Sequence, residues 1–168
     1  MFKQQYNFIP RLELILPEIK KIKLYSVEEY NKKTNSNDTW PGYRSLPLKD
    51  TNVFLYEYIC YLMFNKKFLD EGVYEIFMSI HLRLAEDNHR DWVHQDNTHL
   101  ASLVYLSNSN YNSGTYFYDD KLNIVNDVKF IQNSCILYPG HYTHKGYGHH
   151  GESIENGRLT LNLFINKK

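Results

Sequence analysis

His94, Gln95 and Asp96 stand together, with His144 and then Arg158 further along the chain. These residue types can assemble a ferrous site beside an anion clamp. On an extended strand side chains alternate with a period of two, so a His and a carboxylate two apart face the same way and can grip one ion. A second imidazole from a distant strand would complete two nitrogens and one oxygen on one side of the metal. The opposite positions then stay open for small ligands, an arrangement that suits non-haem iron(II). Arg158 has a separate task, because a planar guanidinium can hold a carboxylate by two parallel hydrogen bonds that a lysine cannot reproduce.

The elements that must position these groups are legible in the hydrophobic pattern. From Tyr74, Ile76, Met78, Ile80, Leu82 and Leu84 alternate with Glu75, Ser79, His81 and Arg83, a strand with two different faces. Short β-branched or aromatic runs at residues 100–106, 115–118, 127–131, 135–138 and 158–165 are separated by Asn/Ser/Gly clusters and read as further strands. One helix is expected over about residues 52–68, capped by Asp50 or Thr51, since Phe54, Leu55, Tyr58, Ile59, Leu62 and Met63 recur at three and four. Residues 34–42 read as a turn-rich loop. A helix before the strands rather than between them argues against a parallel βαβ sheet and for a sandwich or barrel.

The 168 residues show no repeat and no linker, so one domain is expected, an N-terminal elaboration (1–72) on a core (73–166). Net charge is +0, which favours neither nucleic acid nor a basic partner. The first stretch is interrupted by Arg11, Glu13, Pro17 and Glu18 and fits neither a signal peptide nor a membrane span, so a soluble, cytoplasmic protein is expected. The two cysteines, Cys60 and Cys135, sit among apolar residues and suit a reduced chain. Abundant Asn, Lys, Tyr, Ile and Phe share A/T-rich codons and point towards a virus, hence a host cytoplasm, or a streamlined bacterium.

With eight histidines in the chain, a His-x-Asp match alone is weak evidence. The order of motifs says more. His94-Gln95-Asp96 is followed by Val104-Tyr105-Leu106-Ser107-Asn108 and Ser113-Gly114-Thr115-Tyr116-Phe117-Tyr118. Then come Leu137-Tyr138-Pro139-Gly140-His141-Tyr142-Thr143-His144 and Gly157-Arg158-Leu159-Thr160-Leu161-Asn162-Leu163-Phe164. This order resembles the Fe(II)- and 2-oxoglutarate-dependent oxygenases, particularly the compact prolyl-hydroxylase-like branch and its phage-encoded relatives, over about half the chain.

The resemblance implies a mainly β fold, the double-stranded β-helix or jelly roll, with iron inside one mouth. It implies His94, Asp96 and His144 as catalytic metal ligands, His144 being preferred because it stands just beyond Pro139-Gly140. His141 is the nearest rival and reads as a turn residue. Arg158, assisted by Thr160 and Tyr105, would bind the far carboxylate of 2-oxoglutarate. His149 and His150 fall in a solvent- or substrate-facing loop, and His81, His89 and His99 read as structural. The implied cofactors are Fe(II), 2-oxoglutarate as co-substrate and O2, with ascorbate as an accessory reductant. The implied reaction hydroxylates a C–H bond and yields succinate and CO2.

Two departures stand out. The interval from His144 to Arg158 is longer than is usual among prolyl hydroxylases, and Leu84 stands about where relatives carry a second oxoglutarate tyrosine. Substrate lips are expected at residues 39–45, 86–92 and 145–156, with Trp92 as a core or rim residue and Arg44 either meeting an anionic or peptide substrate or bracing a turn. A peptide, prolyl first, or a free amino acid is the expected substrate, with no nucleic acid and no membrane as partner. The alternative readings are a non-redox, cupin-like metal-binding protein that binds ligands or isomerises them, and a structural viral jelly roll.

Overall fold

The computed structural model describes residues 2–87 and 91–168. His89 and the middle of the 86–92 lip lie outside the described residues. The N-terminal part contains β1 (Lys3–Gln5), α1 (Leu12–Lys20), β2 (Leu24–Ser26), α2 (Val27–Thr34), β3 (Tyr43–Ser45), α3 (Leu48–Thr51) and α4 (Val53–Asn65). The remainder is β4 (Tyr74–Arg83), β5 (Leu100–Tyr105), β6 (Asn110–Tyr118), β7 (Ile124–Phe130), β8 (Cys135–Pro139), β9 (His144–Tyr147) and β10 (Arg158–Lys167).

All ladders are antiparallel. The larger sheet runs β1-β8-β5-β10-β4-β3-β2 and the smaller runs β7-β6-β9. A single bridge between His94 and His144 extends the smaller sheet by one position beyond β9. Four strands, β8-β5-β10-β4, thus face β7-β6-β9 and the His94 segment, the two-sheet arrangement of a jelly roll. The expected mainly β architecture is what the chain adopts.

Alternation along β10 places the layers. Leu159, Leu161, Leu163 and Ile165 join a core with Leu55, Ile59, Leu62 and Met63 of α4 and with Leu12 and Ile19 of α1. Arg158, Thr160 and Asn162 turn the opposite way, into the space between the sheets. That inner space is closed by Ala101, Tyr105, Phe117, Val128, Phe130, Ile136 and Tyr138. Helices, large sheet and small sheet are therefore three layers, and the polar face of the large sheet looks into the molecule.

The helices depart from the sequence expectation in physical detail. The cap of α4 is Asn52, whose Oδ1 accepts from the Leu55 N–H at 3.1 Å. Asp50 and Thr51 instead lie in the preceding turn α3, and α4 ends at Asn65, before Lys67 at φ 56°. α2, unforeseen, starts at a Ser26/Glu29 capping box. α1, also unforeseen, contains Pro17.

Candidate metal centre

The His94 to Asp96 stretch is not the strand that the spacing suggests; it is irregular chain pinned at two points. His94 and His144 exchange both backbone hydrogen bonds, at 3.0 and 2.8 Å, and the Asp96 N–H donates to Gly140 O at 2.8 Å. Those bonds carry the two ends of the motif onto the start of β9 and the turn before it. Gly140 permits the approach, because a Cβ there would collide with the Thr98 carbonyl.

One candidate ligand atom from each of His94, Asp96 and His144 lies within 4.8 Å of the other two. His144 Nε2 is 3.6 Å from Asp96 Oδ2, and His94 Nε2 is 3.8 Å from Asp96 Oδ1. Ligands at about 2.1 Å from one ion sit roughly 3 Å apart, so a small closure of the side chains suffices. Each imidazole also spends its Nδ1–H on a backbone carbonyl, His94 on Trp92 O at 2.9 Å and His144 on Tyr142 O at 2.8 Å. This fixes the tautomer and leaves both Nε2 lone pairs for a metal. Burial lowers the His144 pKa, with the Asp96 charge opposing and His94 adding to the effect, so the neutral, ligating form is favoured. The donor set fits a ferrous ion with an open face.

Tyr138, absent from the sequence-based site, reaches into the centre. Its hydroxyl lies 3.3 Å from His144 Nε2 and 3.5 Å from Asp96 Oδ2. Burial and then the Asp96 charge hold its pKa well above the usual phenol value, so it stays a neutral donor. Period two along β8, where Ile136 and Tyr138 share the inward face, was the available signal.

The centre opens into a cavity of about 160 Å³ that Arg158, Thr160, Thr115, Trp92 and Gly146 also line. Arg158 is buried, with Nη2 donating to Gly114 O at 3.1 Å and Nε buried without a partner among the described residues. Its guanidinium lies 5.5 Å from the Phe130 ring centre and 6.0 Å from that of Tyr105. A buried guanidinium N–H without a partner calls for an acceptor, and a carboxylate fits. Thr160 lines the cavity but bonds Asn162 Oδ1 at 2.7 Å. Tyr105 is fully buried, its hydroxyl 2.8 Å from that of Thr115, so Thr115 rather than Tyr105 meets the cavity.

Other histidines separate cleanly. His141 is exposed beside Gln95 and Tyr142, outside the triad. His149 lies 3.3 Å from Asp91 Oδ2, and burial followed by the charge of Arg83 lowers its pKa to about 4. Its loop begins as strand β9 rather than as open coil. Arg83 is fully buried and paired with Asp87 at 2.7 Å and with Asp91. The sequence placed Arg83 on a polar strand face; that face turns out to be the cavity wall. Trp92 is half-exposed at the rim.

No protein-family model matches this chain, and no curated protein matches it. Solved structures do. A 2OG-Fe(II) oxygenase family oxidoreductase from Burkholderia pseudomallei superposes with a TM-score of 0.67 at 13% identity, over 99% of this chain and 84% of that one. HygX from Streptomyces hygroscopicus, solved with nickel, 2-oxoglutarate and hygromycin B, gives 0.68 at 11% identity, over 99% and 83%. A Pseudomonas putida prolyl-4-hydroxylase gives 0.57 at 13% identity, over 99% and 92%. The class that the architecture defines is thus the double-stranded β-helix of the Fe(II)/2-oxoglutarate oxygenases. At these identities the likeness is one of fold, and the chemistry must come from the residues themselves.

Proposed function

We propose that this chain is an Fe(II)- and 2-oxoglutarate-dependent dioxygenase that hydroxylates a C–H bond of a peptide, prolyl-type, or amino-acid substrate, releasing succinate and CO2. The observation that carries the reading is the meeting of His94, Asp96 and His144 in the cavity that also holds the orphaned Arg158 Nε. His94 Nε2, His144 Nε2 and an Asp96 oxygen would hold the metal, which when bound supplies a redox centre and a Lewis acid for the keto acid and O2. Asp96 and the two imidazoles act as ligands rather than as acid–base groups.

The chain's other residues bind and orient. Arg158 receives the distal carboxylate of 2-oxoglutarate, with Thr115 and Thr160 on the cavity wall and Tyr105 behind Thr115. Tyr138 holds the outer lone pair of Asp96. Trp92 narrows the mouth and limits water. Residues 1–72 and 73–166 act as one unit, since β1, β2 and β3 share the large sheet with the core strands.

The test is succinate release from 2-oxoglutarate with Fe(II), ascorbate and O2, across peptides and free amino acids, with Arg158→Ala as control. Succinate formation that Arg158→Ala abolishes is the expected result. Iron binding without any turnover, coupled or uncoupled, would defeat the reading in favour of a non-redox metal protein.

A further inference from the structure

The large sheet carries a row of side chains in register: Arg44 on β3 faces His81 on β4, His81 faces Thr160 on β10, and Thr160 faces Tyr105 on β5. Directly paired residues of antiparallel strands project to one face. Arg44, His81 and Thr160 accordingly line the same cavity as the metal ligands. Arg44 stands two strands from Arg158, about 10 Å across the sheet and two residues out of its row, so the two guanidinium groups start from separate points of the cavity wall.

Arg44 is also unspent. Among the described residues no carboxylate or carbonyl accepts from its guanidinium, and its Nε is buried without a partner. The guanidinium carbon lies 4.4 Å from the Trp40 ring centre, and the Trp40 indole N–H is likewise buried and unpartnered. Both groups are donors only. They are held stiffly: Trp40 is 8% exposed, packs edge-on to Tyr30 at 5.2 Å, and lies 6.0 Å from His81. The Pro41 carbonyl accepts from His81 Nε2 at 2.7 Å. Gly42, at φ 82°, closes the loop against β4, where a Cβ would strike Leu82 O and Arg83 Cδ.

Two fixed donors without an acceptor, stacked at the wall of a site that has its own separate oxoglutarate arginine, describe a second anion subsite. We infer that Trp40 and Arg44 bind a carboxylate of the primary substrate, either a free amino acid or the C-terminal residue of a peptide. A planar, delocalised carboxylate matches the guanidinium fork, and a rigid indole N–H beside it adds direction. Burial holds His81 neutral, so it supplies shape and no competing charge. This inference deepens the proposed function and rests on it.

The experiment uses the full chain with Zn(II) and 2-oxoglutarate, and reads binding by saturation-transfer NMR. The probes are free amino acids and their amides, the N-acetyl amino acids as mimics of a peptide C-terminus and their amides, and inorganic phosphate. At least one carboxylate probe should bind about tenfold or more tightly than its amide, the loss expected when a charge-assisted bond disappears. Whether free or N-acetylated acids win tells the two sources apart. Arg44→Gln should bring the acid-to-amide ratio near one, Trp40→Phe should reduce it, and Arg44→Lys, a gentler change, should leave it in between. Equal binding of acid and amide, no binding by any carboxylate, a ratio unmoved in Arg44→Gln, or preference for phosphate would each overturn the inference. Failure of 2-oxoglutarate itself to bind strikes the proposed function instead, and the acid-to-amide ratio still judges the subsite.

Discussion

Removing the Asp96 carboxylate leaves two imidazoles 4.4 Å apart between ring centres and no anionic ligand between them. Asp96→Ala should therefore lower metal affinity by more than the roughly 10–100-fold that losing an outer partner costs. His141→Ala, on an exposed turn, should leave it unchanged; anaerobic Co(II) titration reads both. Tyr138→Phe belongs to the outer class, because its hydroxyl touches Asp96 and His144 without being a candidate ligand. A weakening of about tenfold is expected there, with the fold intact; no change would mean that the phenol is a packing group only. At this scale the convergence of His94, Asp96, His144 and Arg158 on one cavity was legible as a candidate set, because their types are uncommon together and their order is distinctive. Tyr138 was not, since fifteen tyrosines dilute the signal and only the facing of β8 selects this one.

Strands with long, clean alternation were legible as elements, and β4 and β10 begin at the expected residues. β9 was not, because four residues containing Lys145 and Gly146 carry no hydrophobic period, and β1, β2 and β3 have three residues each. The His-x-Asp motif was read as strand for a sound local reason, yet it is one bridge and a loop, and its convergence comes from pairing with β9 rather than from its own period. β10 offers the element-scale test, since its two faces have different duties. Leu161 is fully buried against the helical layer, so Leu161→Ala should cost about 2–5 kcal/mol in urea unfolding. Metal affinity of the folded fraction should stay as in the parent, because Leu161 faces away from the cavity. A large loss of affinity at modest loss of stability would show that the helical layer positions the site directly.

For the molecule as a whole, the unusual expense is a polar layer inside it: Arg83, Arg158 and His81 line the space between the sheets, with His149 against Asp91 at its edge, although the chain has a net charge of +0. Bulk composition could not reveal this, because burial of charge depends on which strand face turns inward. The layer sets how the protein meets acid. Burial lowers His81 well below its ordinary 6.5, and burial with the charge of Arg83 takes His149 to about 4. In the unfolded chain both imidazoles bind protons once the pH drops through about 6.5, whereas the native His149 stays neutral until about 4. The unfolded state thus holds more protons throughout that window, and stability must fall as pH falls. Between pH 7 and pH 5 the His149 part of that loss should be on the order of 1 kcal/mol, each tenfold difference in proton affinity being worth about 1.36 kcal/mol before solvent screening of a partly exposed ring reduces it. Urea unfolding at both values measures it. His149→Gln, which cannot titrate, should recover a substantial part of the difference; a pH dependence identical to that of the parent would show that the native ring takes up protons as readily as the unfolded one, and a steeper loss in the variant would show a ring held charged by Asp91.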